Sequence, residues 1–138
     1  MTINISTVAR NGAGDFIVDL IDTGSIVANG YMQIRSGAKP ASPQVAATGP
    51  LLATLNFANP AFAPFSNGSA YAVPIASDTN IPASGMASYF RVFNRNNVAV
   101  LDGDITLTGG GGDIQFDNIN FIAGGVVAIS SLLAIMPQ

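Results

Sequence analysis

The chain has 138 residues, which is enough for one domain with a buried core and too few for a second. Apolar residues make up 49% of it and charged residues 9%, and this composition excludes a disordered tail. Five basic residues stand against eight acidic ones, giving a net charge of -3, so no basic surface for phosphates is available. We therefore predict a single domain over residues 1–138 that binds no nucleic acid.

The residue types that are missing restrict the chemistry of the protein. The chain contains no His, Cys, Glu or Trp. Without His and Cys there is no Ser-His-Asp triad, no Cys-His dyad, no zinc site of ordinary ligands and no disulfide. Any catalysis would therefore have to depend on Asp, Ser, Thr, Tyr or the single Lys.

The first predicted element is an N-terminal helix over residues 5–22. Ser6 is suited to cap its start, and Gly24 lies where a left-handed residue ends a helix. Asp15, Asp19 and Asp22 fall on the face opposite an apolar stripe. Gly12 and Gly14 each weaken a helix by about 1 kcal/mol relative to alanine, so we expect this one to persist only when it packs against the rest of the chain. The stripe repeats at three- and four-residue steps through Ile5, Val8, Ala9, Gly12, Ala13, Phe16, Ile17, Leu20 and Ile21.

After Gly24 the chain is predicted to form short strands between Gly, Pro, Asn and Asp residues. Their spacing of about ten residues favours a mainly β fold in which residues 26–138 form an antiparallel β-sandwich, with a jelly-roll order as one alternative, carrying the one N-terminal α-helix. The predicted strands are 31–35, 51–57, 70–76, 87–93, 97–101, 104–108, 113–118 and 125–135.

Turn residues separate these strands. Asn94 to Asn97 predicts a hairpin between strands 87–93 and 97–101, because asparagine tolerates positive φ. Asp102-Gly103 predicts a second tight turn. The prolines and glycines of segment 36–50 indicate a long surface loop, and Gly109 to Gly112 indicates a flexible connection rather than a phosphate-binding loop.

The C-terminal segment 118–138 carries no charge, and its apolar centre runs from Phe121 to Met136. That centre is shorter than the roughly 20 residues that a helix needs to span a membrane. It also contains Gly124 and Gly125, and β-branched residues follow them. We therefore predict short buried strands broken near these glycines, and no membrane association.

The sharpest local motif is Asp22-Thr23-Gly24, preceded by two apolar residues as in aspartic proteases. Such enzymes use two aspartates that share one proton, so a chain of this size would act as a homodimer of the retroviral type with Asp22 supplied by each copy. The alternative interpretation is structural, with Asp22 and Thr23 ending the helix and Gly24 capping it. The helical periodicity before Asp22 favours the structural interpretation.

Two other groups of residues have alternative interpretations. Alternation places Asp102 and Asp104 on one side of an extended segment, where they either bind a cation weakly or lie at a solvated turn. Four aromatic residues form either an exposed binding patch or part of the core or of a subunit interface, and core or interface is favoured. These aromatic residues are Phe57, Phe62, Phe65 and Tyr71.

The order of segments from residue 9 to about 130 resembles small virion proteins of tailed bacteriophages. The motifs that carry the resemblance are Ala9-Arg10-Asn11, Ile17 to Asp22, Ile34 to Gly37, Leu51 to Leu55, Asn59 to Phe62, Ile75 to Thr79, Tyr89 to Val92, Asp102-Gly103 and Ile122 to Gly125. Each motif is short, and the shared order covers most of the chain. The chain departs from the pattern of these proteins at Gly12 and Gly14 in the predicted helix and at residues 93–97 in the predicted hairpin.

This resemblance implies a non-enzymatic, structural role in the particle, with no catalytic residues, no cofactor and no metal site. The expected function is a head decoration or cement protein on the outer capsid surface, which forms a homo-oligomer, with a trimer expected, and binds the major capsid protein. The alternative within the same setting is a collar, neck or tail-associated structural protein. With only thirteen charged side chains, the chain has few charges to oppose such assembly.

Overall fold

The computed structural model of the protein describes residues 3–138. It is mainly β with one N-terminal helix, as predicted. The helix α1 spans Thr7–Asp19, and a short 3-10 turn at Leu20–Asp22 extends it. The strands are β1 (Tyr31–Arg35), β2 (Leu51–Asn56), β3 (Ser69–Tyr71), β4 (Gly85–Met86), β5 (Tyr89–Phe93), β6 (Ala99–Leu107), β7 (Ile114–Phe116), β8 (Asn120–Phe121) and β9 (Leu133–Ile135).

Five strands form the main sheet in the order β2-β1-β5-β6-β7, and two short ribbons pair β3 with β9 and β4 with β8. The sheet is mixed rather than wholly antiparallel, because β7 runs parallel to β6, with Ile105 opposite Ile114. Parallel neighbours usually need a crossover of a dozen or more residues. Here residues 108–113 make the return, and positive φ at Gly109 and Gly111 allows it. The prediction of a connection at this glycine run is confirmed.

One face of the main sheet forms the centre of the core. Met32 and Ile34 on β1 lie beside Val92 and Phe90 on β5, and all four side chains are buried. Alternation along the strands sends their neighbours to the other face. Buried residues from α1, both ribbons and the connecting segments complete the same cluster.

The opposite face of the sheet is polar around Arg91, and segment 36–50 covers that part of it. Arg91 is only 3% exposed, and it forms two hydrogen bonds to the carboxylate of Asp102, of 2.7 and 2.9 Å. The guanidinium also donates hydrogen bonds to the carbonyl oxygens of Val45 (2.7 Å) and Ser42 (3.2 Å) in segment 36–50. The predicted loop is therefore confirmed, and buried hydrogen bonds hold it against the sheet.

The predicted turn at Asp102-Gly103 is wrong, because β6 continues through both residues as one strand and merges the predicted strands 97–101 and 104–108. Gly103 lies opposite Phe90 on β5. A Cβ atom at Gly103 would lie 2.3 Å from the Phe90 ring. The glycine therefore makes room for an aromatic ring on the core face. An Asp-Gly pair occurs in tight turns as well, so the local sequence did not distinguish a turn from a continuous strand.

The predicted hairpin between β5 and β6 is confirmed. The side-chain oxygen of Asn94 accepts hydrogen bonds from the backbone N–H groups of Asn96 (2.9 Å) and Val98 (3.0 Å). Asn97 has a φ of 62°, a value that asparagine adopts more readily than most residues. The predicted strand 31–35 is also confirmed, and predicted strand 51–57 ends one residue earlier.

The C-terminal prediction is wrong in its extent. Of predicted strand 125–135, Val127 forms an isolated bridge with Asp78, and only Leu133–Ile135 is a strand. Predicted strand 70–76 is likewise reduced to Ser69–Tyr71. The prediction that the C-terminal strands are buried is also wrong for β9, because Leu133 and Ile135 are 40% and 66% exposed. The apolar content of these segments, without regular alternation, did not determine their pairing. No helix within residues 3–138 is both long and apolar enough to cross a bilayer.

Replacing Asp102 by Asn should destabilise the protein strongly. The change leaves the Arg91 guanidinium buried without its counter-charge, and we expect a loss of about 3 kcal/mol in the free energy of unfolding. Urea denaturation followed by circular dichroism measures this loss.

The matched control is Asp104→Asn, on the same strand. The Asp104 carboxylate pairs with Lys39 at 2.9 Å, and the Asp104 side chain is 58% exposed. This change should cost less than about 1 kcal/mol. Equal losses for the two variants would contradict the structural role assigned to the Arg91–Asp102 pair.

Candidate assembly surface

The helix α1 is attached to the fold through polar side chains. The Asp15 carboxylate accepts a hydrogen bond of 2.7 Å from the backbone N–H of Phe65. The Asn11 side chain accepts one of 2.8 Å from the backbone N–H of Gly68. Arg10 donates one of 2.7 Å to the carbonyl oxygen of Met136. These three contacts fix which side of the helix faces the protein.

Close packing reinforces the same orientation. Gly14 and Val18 are the buried residues of α1, and Ile21 is buried in the turn that follows. A Cβ atom at Gly14 would lie 2.4 Å from the ring of Phe65, so only glycine permits this approach. The helix begins with the predicted cap, because the Ser6 side chain accepts a hydrogen bond from the backbone N–H of Ala9.

The apolar residues on the side of the helix away from these contacts therefore point into solvent. Val8 is 82% exposed and Phe16 is 69% exposed, and Ile5 and Ile17 are exposed as well. A Cβ atom built on Gly12 would meet nothing within 4 Å. We call the exposed set the α1 stripe, and it consists of Ile5, Val8, Ala9, Gly12, Ala13, Phe16 and Ile17.

This orientation is the reverse of that expected for an amphipathic helix, whose apolar stripe ordinarily packs on the core. The physical reason lies in residues 61–68, whose backbone N–H groups need acceptors where they meet the helix. Asn11, Asp15 and Asp22 supply those acceptors. Leaving such groups unpaired would cost about 1–3 kcal/mol each. Large exposed apolar patches mark interaction sites, so the α1 stripe is a candidate interface.

A second exposed apolar set lies at the β4–β8 ribbon and the turn that follows it. Met86 is exposed beside its cross-strand partner Asn120. Ile122 and Val126, which flank the turn at Gly124, are also exposed, at 73% and 66%. We call Met86, Ile122 and Val126 the ribbon patch. It adds a further apolar surface of the kind that protein–protein contacts cover.

The Asp22-Thr23-Gly24 motif lies at the end of the helix, as the structural interpretation predicts. Both Asp22 oxygens accept from the backbone N–H of Ala61, at 3.0 and 3.1 Å. The Thr23 hydroxyl donates to the carbonyl oxygen of Leu20 (2.7 Å), and Gly24 has a positive φ of 116°. Burial raises the pKa of Asp22, although the hydrogen bond from Ala61 acts to lower it. The motif therefore joins the helix end to the 61–68 segment.

The aspartates considered for a cation site are engaged by other groups. Asp102 pairs with Arg91, and Asp104 pairs with Lys39. The Asp113 carboxylate accepts from the backbone N–H of Asp104 at 2.8 Å. Within residues 3–138, no three acidic side chains are grouped in a way that would hold a metal ion.

The aromatic residues divide between core and surface. Phe57, Phe62 and Phe65 are buried, which confirms the core interpretation for these three. The rings of Phe57 and Phe62 have centroids 6.1 Å apart. Tyr71 is instead 61% exposed on β3.

In comparisons with known proteins, the chain matches no protein-family model, no curated protein and no solved structure.

Replacing Asp22 by Asn should change how stability depends on pH. The folded state holds the Asp22 proton more tightly than the unfolded state does, because its pKa is raised above the ordinary value of 3.8. The titration of Asp22 therefore lowers stability as pH rises from about 3.8 through the raised pKa. Asn has no such titration, so Asp22→Asn should gain stability relative to the unmodified protein as the pH rises above about 3.8.

Urea denaturation of both proteins from about pH 3 to pH 7 measures the difference. Asp19 cannot serve as the control, because its charge contributes to the raised pKa of Asp22. The control is Asp117→Asn, which removes an exposed carboxylate that is not among the charges acting on Asp22. A difference that shrinks with rising pH would contradict the assignment.

Proposed function

We propose that this protein is a non-enzymatic structural protein of a tailed-bacteriophage virion, a head decoration or cement protein on the outer capsid surface. It forms homo-oligomers, with a trimer as the expected form, and binds the lattice of the major capsid protein. The observation that carries this proposal is the α1 stripe. Polar contacts hold the helix so that its apolar residues face outward, where contact with another protein surface would bury them.

The distribution of charge supports the same role. The chain has thirteen charged side chains, and several of them are engaged within the fold, including Arg91, Asp102 and Asp15. Few charges therefore remain to keep copies apart. A protein that binds only the assembled lattice stabilises it by mass action, in proportion to the logarithm of its free concentration over its Kd.

The proposed architecture is a β-sandwich in which the two ribbons form a second layer over the main sheet. Buried residues of the ribbons, Ala70 on β3 and Phe121 on β8, belong to the same core cluster as Ile34 and Phe90 of the main sheet. A sandwich of this kind gives a rigid body with surfaces free for assembly. The α1 stripe serves contact between copies, and the ribbon patch is available to the capsid lattice.

Replacing Phe16 by Gln should dissociate the oligomer. Analytical ultracentrifugation of the unmodified protein should give three times the monomer mass of 14.1 kDa. Phe16→Gln should weaken association at least tenfold, because a buried aromatic side chain contributes about 1.5–3 kcal/mol. Raising NaCl from about 0.1 to 1 M should leave the oligomer intact, since screening acts on charges and not on apolar contacts.

The matched control is Val98→Gln, which changes an apolar residue that is 57% exposed at the β5–β6 hairpin. It should leave the mass unchanged. A monomeric unmodified protein, or equal effects of the two variants, would contradict the assignment of the α1 stripe as the interface.

Immunogold labelling of particles from the source culture tests the position on the virion. An antibody against this protein should label heads over their whole surface. Label at one vertex or on tails would contradict the decoration role in favour of the collar, neck or tail alternative. Particles without label, alongside others labelled for the major capsid protein as a control, would contradict a virion role.

A further inference from the structure

A second surface of the molecule has the chemistry of a ligand site. On the polar face of the main sheet, segment 36–50 covers Tyr89 and Arg91 and leaves the opposite end of β1 and β2 open. The open part is a groove of about 500 Å³. Its polar lining residues are Asn29, Tyr31, Gln33, Thr54, Asn56 and Asn97, and we call it the amide groove. Among residues 3–138, no charged side chain lines it.

Three of the amide side chains are held in fixed orientations by bonds within the protein. Asn29 donates from Nδ2 to the carbonyl oxygen of Phe57 at 2.8 Å, which leaves its Oδ1 free to accept. Gln33 accepts at Oε1 from Arg35 at 3.0 Å, which leaves both Nε2 hydrogens free to donate. The groove therefore presents oriented donors and acceptors, and fixing them beforehand reduces the entropy lost on binding.

Tyr31 orients the third amide, which is the side chain of Asn97, and it also supplies the aromatic surface of the groove. Its hydroxyl donates to Oδ1 of Asn97 at 2.9 Å, so the Nδ2 hydrogens of Asn97 remain free to donate. Burial raises the pKa of the Tyr31 hydroxyl above its ordinary value of 10.0. One face of the Tyr31 ring stacks on Phe93 of β5, with centroids 5.0 Å apart. On the other side, Tyr31 lies opposite Asn56 of β2 in the sheet register, and Tyr31, Thr54 and Asn56 all line the groove.

We infer that the amide groove binds a neutral oligosaccharide. Sugar hydroxyl groups both donate and accept hydrogen bonds, as amide side chains do, and the C–H face of a sugar ring packs on an aromatic ring. The volume lies within the range of small-molecule sites, about 300–1,000 Å³.

Two other ligand classes fit the groove less well. A nucleic acid requires cationic contacts to its phosphates, and the lining residues carry no charge. An extended peptide would have to pair with the outer edge of β2, which no other strand of the main sheet covers. The backbone groups at that edge already have partners. The Asp78 carboxylate accepts from the backbone N–H of Thr54 at 2.9 Å, and the backbone N–H of Ala76 donates to the carbonyl oxygen of Asn56 at 2.9 Å.

The test is an NMR titration of the full chain with neutral trisaccharides. The probes are maltotriose, cellotriose, mannotriose, galactotriose and triacetylchitotriose, each at about 10 mM, which is tenfold above a Kd of about 1 mM. At least one should produce saturable shifts in the resonances of Asn29, Gln33, Asn56 and Asn97. Absence of shifts with every probe, or shifts confined to other parts of the chain, would overturn the inference.

Variants separate the groove from nonspecific binding. Asn56→Ala and Thr54→Val each remove hydrogen-bonding groups and should weaken binding about three- to tenfold, which is the loss of one hydrogen bond. Asn120→Ala changes an exposed asparagine on β8 and should leave binding unchanged. Spectra outside the groove report whether each variant is folded. Equal affinity for all variants would overturn the inference, whatever the oligomeric state or the position on the virion.

Discussion

The buried ion pair between Arg91 and Asp102 is the interaction on which the polar face of the sheet depends. It joins neighbouring strands β5 and β6, and the same guanidinium binds the carbonyl oxygens of Ser42 and Val45. A segment of fifteen residues without regular structure is thereby held over the sheet. A buried guanidinium requires this full set of partners, since an unpaired buried charge is costly. The part of this face that segment 36–50 does not cover is open, and the amide groove lies there.

The helix illustrates a competition between apolar burial and backbone hydrogen bonding. Burial of the α1 stripe on the core would have satisfied the hydrophobic effect, but it would have turned Asn11 and Asp15 away from residues 61–68. The contact at Gly14, where the Phe65 ring replaces a side chain, also requires the observed orientation. The apolar residues left in solvent then favour association with another protein surface. The same local packing that completes the fold thus creates the candidate interface.

Prediction from the sequence succeeded where a feature depends on neighbouring residues. The helix start at Ser6, the turn at Asn94 to Asn97 and strand β1 are examples. It failed where one local pattern serves two purposes: Asp102-Gly103 has the composition of a turn, yet Asp102 pairs with Arg91 and Gly103 accommodates Phe90. The amide groove was not predicted, because its residues come from positions 29 to 97 and none of them forms a motif in the sequence.

By itself, the sequence determined that the chain is mainly β with one N-terminal helix, that it has no His or Cys chemistry, and that an apolar stripe runs along that helix. These properties follow from composition and from periodicities over a few residues. Only the tertiary structure decided which side of the helix is buried, that β7 pairs parallel with β6, and which aspartates are neutralised. Those outcomes depend on hydrogen bonds and close approaches between residues far apart in the chain, and such partners leave no local pattern in the sequence.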